Sequence, residues 1–254
     1  MKIRYLRWSL LTVVVGALTW MALGNGERSF EAYCPFGGIE SLYGLFREGQ
    51  FTCALGPLNL SMLVAILVLT LLAKKAFCSW VCPIGFLGEL LSKIGIKIVP
   101  GKFQISESVN RWFKLLRYIS LAAVLFFTYR TGELILRGYD PFYAIFSGMG
   151  HGTLGNVTIL VMSLIAIGSL VIPMFFCRYL CPLGAALDPF SKLGLIKICR
   201  NEETCIECGE CQTACPHGLA PQDTIFLRDS DCTNCLECVE ACPEEETLNL
   251  KLKL

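Results

Sequence analysis

The chain has 254 residues, 54% of them hydrophobic and only 17% charged, with a mean hydropathy of +0.56. Soluble globular domains carry about 25% charged residues, so the composition points to a membrane rather than to a simple soluble domain. A net charge of +1 offers no basic surplus for nucleic acid, two His supply a haem or zinc site poorly, and 15 Cys in tight motifs argue for metal ligation in a reducing compartment.

In chain order, a basic flank over residues 1–7 precedes an apolar run from about Trp8 to Leu23. No A-x-A site follows it, so it reads as a retained anchor rather than a cleaved signal peptide. Three more apolar runs follow, about Leu58 to Ala73, Trp112 to Tyr129 and Val157 to Phe176. Each is near the roughly 20 residues that cross a bilayer. Lys114 and Arg117 interrupt the Trp112 run and are expected to snorkel to the inner interface. Residues 1–7, 74–117 and 178–253 hold 18 of the 22 Lys and Arg, against Arg28, Arg47, Arg130 and Arg137 elsewhere. That asymmetry predicts four spans with both termini cytoplasmic. The expected fold is mainly α: a four-helix transmembrane domain over residues 1–198, then a small α+β two-[4Fe–4S] bacterial-ferredoxin-like domain over 199–254. The charged run Arg200 to Thr204 is expected to link them.

The first outer loop contains Y-C-P-F-G-G-I-E-S-L, from Tyr33 to Leu42, and then Cys53. Cys34 and Cys53 can form a disulfide, line a re-entrant segment or ligate metal. Glu40 is a candidate proton acceptor near the bilayer, though a solvated loop charge has the same appearance. His151, in G-M-G-H-G-T, is a weaker candidate of the same kind.

An internal repeat lies on the predicted inner face. Residues 77–85 read F-C-S-W-V-C-P-I-G and residues 176–184 read F-C-R-Y-L-C-P-L-G, and each continues into S-K-x-G. Cys78 and Cys82, and Cys177 and Cys181, are four apart, on one face if helical. Brought together by the repeat, they form a candidate redox or metal site, with a third cluster, another metal or structural thiols as the readings.

The C-terminal stretch reads C-x2-C-x2-C-x3-C-P twice. Three thiolates of such a loop wrap one cubane and the fourth is offered to the other cluster. Cys205, Cys208, Cys211 and Cys242 are therefore assigned to one [4Fe–4S] cluster, and Cys232, Cys235, Cys238 and Cys215 to a second. His217, just after a ligand Cys-Pro, is read as tuning a cluster's surroundings. Zinc sites use paired C-x2-C units with a longer gap, and fit less well.

Taken together, these motifs resemble the NapH/MauN-type 4Fe–4S membrane ferredoxins, which are related to the membrane parts of NosR- and CcoG-type proteins. The resemblance implies membrane electron transfer, in an electron-transfer subunit of quinol-dehydrogenase type rather than a stand-alone enzyme. It implies a prokaryotic cytoplasmic (inner) membrane, the quinone pool, and a partner such as a cytochrome, flavoprotein or reductase. Copper reduction for cuproenzyme assembly at the C-x3-C-P thiols, and redox sensing by a membrane regulator, are the alternatives.

Overall fold

Residues 56–73, with no charged side chain and with Pro57 near their start, have one stable form where water is scarce: a helix that satisfies its own backbone groups. The computed structural model describes residues 3–24, 56–98, 107–131, 141–148, 156–244 and 246–252, with four isolated positions, Gly38, Ser41, Leu42 and Leu45. Its helices are α1 (Ile3–Gly24), α2 (Gly56–Ala73), α3 (Ala76–Trp80), α4 (Pro83–Ile98), α5 (Glu107–Thr131), α6 (Pro141–Gly148) and α7 (Asn156–Val171). A five-residue π-helical turn, Phe176–Leu180, leads into α8 (Pro182–Leu193). Strand β1 (Ile196–Arg200), α9 (Glu210–Ala214), a 3-10 turn (Pro221–Asp223), α10 (Glu237–Glu240) and β2 (Leu248–Leu252) complete a C-terminal lobe.

Among the described residues, two helices, Ile3–Leu23 and Gly56–Ala73, are long and apolar enough to cross a membrane. Only 22% and 28% of their apolar windows are buried within the chain, whereas the core helix of a soluble protein is mostly covered. Thr158–Val171 is apolar but shorter, and helix α7 stops at Val171 rather than at the expected Phe176. Helix α5 has the length, but Arg111, Lys114 and Arg117 occupy its first half. Exposed Trp20, Val64, Phe126, Phe127, Leu164 and Ile167 spread apolar surface over α1, α2, α5 and α7. These faces point to association with a membrane.

The two halves of the internal repeat pack crosswise. Helix α4 of the first half lies on α7 of the second, and α8 of the second lies on α2 of the first. The S-K-x-G segments make the crossings. Gly95 sits where a Cβ would run into the Leu170 backbone, and Ser92 Oγ accepts the Met174 N–H at 3.0 Å. In the other half Gly194 abuts Lys74, and the Leu195 N–H donates to the Leu71 carbonyl at 3.0 Å.

In the lobe, β1 pairs antiparallel with β2, Ile196 opposite Leu252 and Arg200 opposite Leu248. The expected boundary at 198/199 therefore falls inside a strand, and Arg200 ends that strand rather than opening a linker. Ile198, Leu219, Leu227 and Leu248 form the lobe's core together with Cys211, Cys232 and Cys238.

A buried polar interface seats the lobe on the helix ends. Arg117 donates to Asp231 at 2.5 Å and pairs with Asp188 at 2.8 Å, and Lys114 pairs with Asp231 at 2.6 Å. Lys75 reaches Asp188 at 2.6 Å. Lys114 and Arg117 between them thus find two carboxylate partners within the chain. Arg7 is fully buried, bidentate to Glu89 at 2.9 and 2.7 Å and bonded to Glu237 at 2.5 Å. Lys74 Nζ donates to the carbonyls of Leu227 and Asp229 at 2.8 and 2.7 Å. The start of α1, the end of α2 and the first half of α5 thus meet the lobe at one end of the helices.

Candidate metal centres

The two C-x2-C-x2-C loops curl in the same way. Glu207 and Asn234, at equivalent positions, have φ of 55° and 46°, and the equivalent Gly209 and Leu236 have 76° and 64°. Left-handed backbone at a residue as bulky as Leu236 is strained and persists where the surroundings require it. Here it turns successive cysteines toward a common centre. A pocket enclosing about 360 Å³, part of it open to solvent, is lined by Cys205, Cys208, Cys211 and Cys242. Those are the four thiols grouped by the sequence argument, the last of them crossing over from the second motif.

The other four thiols meet on the inner side of the lobe. Burial pushes the Cys238 thiol up, and the charges of Cys235, Cys215 and Cys232 add to the effect. Burial likewise pushes Cys235 up to about 12, with Cys215 the next cause. Thiols this crowded ionise together only around a compensating positive core, as in a coordinated metal cluster. The Leu219 N–H donates to Cys215 Sγ at 3.4 Å, a bond that favours thiolate. His217 is 5% exposed, neither ring nitrogen has a hydrogen-bond partner among the described residues, and burial lowers its pKa to about 4. A neutral N–H orphaned two residues from Cys215 suits a donor to a sulfur-rich centre.

Among the described residues, no three His, Cys, Asp or Glu side chains close on a single metal ion. A cubane makes no such demand, since each thiolate caps a different iron and the thiols surround the core instead of meeting at a point. The donor set, the pocket and the orphaned imidazole all fit iron–sulfur clusters.

Cys78, Cys82, Cys177 and Cys181 also converge, each thiol within electrostatic reach of the others. They do not lie on continuous α-helix as the i, i+4 argument assumed. Cys78 is in α3, Cys82 lies in the break before α4, Cys177 is in the π-helical turn, and Cys181 is the N-cap of α8. Pro83 and Pro182 start new helices after each pair, and these breaks turn the four thiols inward. The glycine of the repeat has its reason here, because a Cβ on Gly85 would overlie the Cys78 carbonyl oxygen. The Gly184 N–H donates to Cys181 Sγ at 3.4 Å.

Contacts that the sequence argument missed tie this quartet to the lobe. Ser79, next to Cys78, donates to Thr233 Oγ1 at 2.5 Å, and Trp80 Nε1 donates to the Asn234 carbonyl at 3.1 Å. Asn234 Nδ2 reaches back to the Ala73 and Ile196 carbonyls at 2.9 and 3.0 Å. Arg178, next to Cys177, lies against Gly218. Ser79 and Arg178 occupy one of the four positions at which the two copies of the repeat differ, so the repeat itself carried no signal for them. Cys34, Cys53, Glu40 and His151 lie outside the described residues.

Paired cysteine loops of this geometry define an iron–sulfur protein of the ferredoxin class. Two family models agree: a 4Fe-4S binding domain matches residues 55–120 and 154–200, and a 4Fe-4S dicluster domain matches residues 197–245. Among curated relatives, Escherichia coli (strain K12) YccM, named for electron transport, is 34% identical over 87% of this chain and 62% of its own length. Methanocaldococcus jannaschii MJ0750 is 35% identical over 72% of both chains. The E. coli ferredoxin-type protein NapH is 26% identical over 63% of this chain and 55% of its own length. No solved structure matches. The chain belongs to the NapH/MauN-type 4Fe–4S ferredoxin family.

Proposed function

We propose that the chain is a membrane-anchored iron–sulfur relay with four spans, α1, α2, α5 and α7, and both termini on the cytoplasmic side. Cys205, Cys208, Cys211 and Cys242 hold an outer cluster, and Cys232, Cys235, Cys238 and Cys215 hold an inner one. Cys78, Cys82, Cys177 and Cys181 hold a third at the membrane edge. When bound, such clusters pass single electrons at potentials set by burial and hydrogen bonding. The chain's own part is to fix the three centres in line, exclude water from the inner two, and direct N–H groups at their sulfurs.

The observation that carries this reading is the Ser79–Thr233 hydrogen bond, which joins the neighbour of Cys78 to the neighbour of Cys232. The order is supported by burial: Cys232 and Cys238 are buried, whereas Cys208 is exposed. The family match over residues 55–120 and 154–200 supports a cluster at the quartet, because the described cysteines in those segments are the quartet and Cys199. An apolar pocket of about 450 Å³, part of it open to solvent, lies between α4, α6 and α7, reaches Cys177 and is lined by Ile84, Leu87, Met162 and Ile165. It suits a lipid-soluble carrier of the quinone class exchanging electrons with the quartet, and a partner redox protein would then meet the exposed outer loop. The relative YccM is named for electron transport, in line with this reading.

Iron and acid-labile sulfide analysis tests it on purified chain. The expected iron content is about twelve per chain, falling to about eight in Cys78→Ser and in Cys177→Ser. A wild-type value of about eight that neither substitution lowers would overturn the third cluster. Failure of both a quinol analogue and dithionite to reduce any cluster would overturn the relay.

A further inference from the structure

A cationic groove runs where the lobe meets the helices, and no cysteine lines it. It holds about 1010 Å³, part of it open to solvent, and Arg111, Lys114, Arg117, Lys192 and Arg228 line it against one acid, Asp229. Behind it, Lys75, Lys114 and Arg117 outnumber Asp188 and Asp231 by one. In front, Arg111, Lys192 and Arg228 outnumber Asp229 by two, and these three cations are exposed. The surplus is built from three separate pieces of chain: α5, the end of α8 and the turn before Cys232. Like charges from three elements are not brought together without cost unless an anion joins them.

The rim says which anion. Trp112, Leu115, Leu116 and Ile119 on α5 and Leu193 on α8 are all exposed beside the cations. A phosphate-bearing headgroup would sit among the guanidinium and ammonium groups, with its acyl chains along this apolar face. Arg111 and Arg228 can each grip phosphate oxygens in bidentate fashion. An acidic protein would meet the charge but would leave the apolar rim uncovered.

We propose that this groove is a binding site for an anionic phospholipid of the leaflet on which the lobe sits, its phosphate held by Arg111, Lys192 and Arg228. The site rests on the membrane-anchored reading above. Bound lipid bridges α5, α8 and the lobe, and so holds the inner cluster against the quartet.

The test uses full-length chain in uncharged detergent, titrated with phosphatidylglycerol, phosphatidylcholine and inorganic phosphate, with bound lipid counted by native mass spectrometry. Wild type is expected to prefer phosphatidylglycerol over phosphatidylcholine. Each cation removed weakens that lipid roughly fivefold, and Arg111→Gln/Lys192→Gln/Arg228→Gln weakens it by about a hundredfold. Unchanged iron content certifies folding, and Arg228→Gln alone, expected at about fivefold, serves if the triple variant does not fold. Equal lipid retention by wild type and variants overturns the proposal. Inorganic phosphate bound as tightly as the lipid would make a soluble anion the ligand and overturn it too. So would an acidic protein lost with the three cations while lipid binding stays unchanged. Incorporation into phosphatidylcholine nanodiscs reads the anchoring separately: a chain that incorporates but shows no lipid preference refutes the site alone, and one that stays outside refutes the anchoring.

Discussion

Removing Asp231 should release the ferredoxin lobe from the helices. Its carboxylate is 4% exposed and accepts from Arg117 at 2.5 Å and Lys114 at 2.6 Å. Breaking a buried ion pair by deleting one partner costs about 3–5 kcal/mol, because the other charge is left uncompensated. Here the loss is cushioned. Asp188 still holds Arg117 at 2.8 Å and Lys75 at 2.6 Å, and Lys114, 22% exposed, can turn to water. Asp231→Ala therefore belongs at the lower end, about 3 kcal/mol, or roughly 150-fold in the equilibrium between seated and released lobe. Native-state proteolysis reads that equilibrium when opening is fast relative to cleavage, so the lobe should be cut free roughly a hundredfold faster than in wild type. Glu202→Ala, which breaks the exposed Arg200–Glu202 pair at 3.1 Å, should change nothing measurable. A change of less than about fivefold for Asp231→Ala would mean that the interface is as wet as a surface pair, and the argument would fail.

Other perturbations separate the remaining parts. Burial works against ionisation of Asp231, but Arg117, Lys114 and Lys75 outweigh it and hold the carboxyl well below the usual range. Its contribution is complete above the unfolded pKa and is lost only as pH falls through the depressed folded value. Lobe release should therefore be flat from about pH 8 to 7, and a loosening within that window would contradict the assignment; below the ordinary histidine pKa, buried neutral His217 adds its own loosening. Gly85→Ala puts a Cβ on the Cys78 carbonyl and should cost about four irons while the lobe's visible spectrum persists. Gly16→Ala, with nothing near its Cβ, should leave iron content unchanged. Leu164 is 58% exposed at the middle of α7, so Leu164→Arg should oppose insertion by about 2.5–3.5 kcal/mol. Undiminished recovery of Leu164→Arg in the membrane fraction would show that this face does not meet lipid.

The sequence disclosed the site better than its setting. Cysteine spacing is a local property, and the grouping of Cys242 with Cys205, Cys208 and Cys211 could be reasoned from the loop alone. Strand β1 was hidden because its partner is Leu248–Leu252, beyond both cysteine motifs. The period-2 alternation of I-K-I-C-R and L-N-L-K-L was the available signal. The partners of Lys114 and Arg117 were hidden because hydropathy sees a charge in an apolar run but not the carboxylate that meets it. Asp231 is more than a hundred residues away in the chain. The fully buried Arg7 was hidden likewise, its partners Glu89 and Glu237 coming from two other segments. The crosswise packing was only half legible. The S-K-x-G repeat announced two equivalent units, but its glycines became explicable once each was seen against the opposite unit.

That exchange of helices between the halves governs when the protein can be completed during synthesis. Cys78 and Cys82 leave the ribosome before the other half of the quartet, and 98 residues lie between Cys82 and Cys181. At about 5–20 residues per second the first half waits roughly 5–20 s before its counterpart exists. The pocket lined by Cys205 is closed by Cys242, 37 positions further along the chain. A translation product broken off before that point offers iron at most three thiols of this outer set. The outer set is thereby the last of the three to be completed, after the quartet and the inner set.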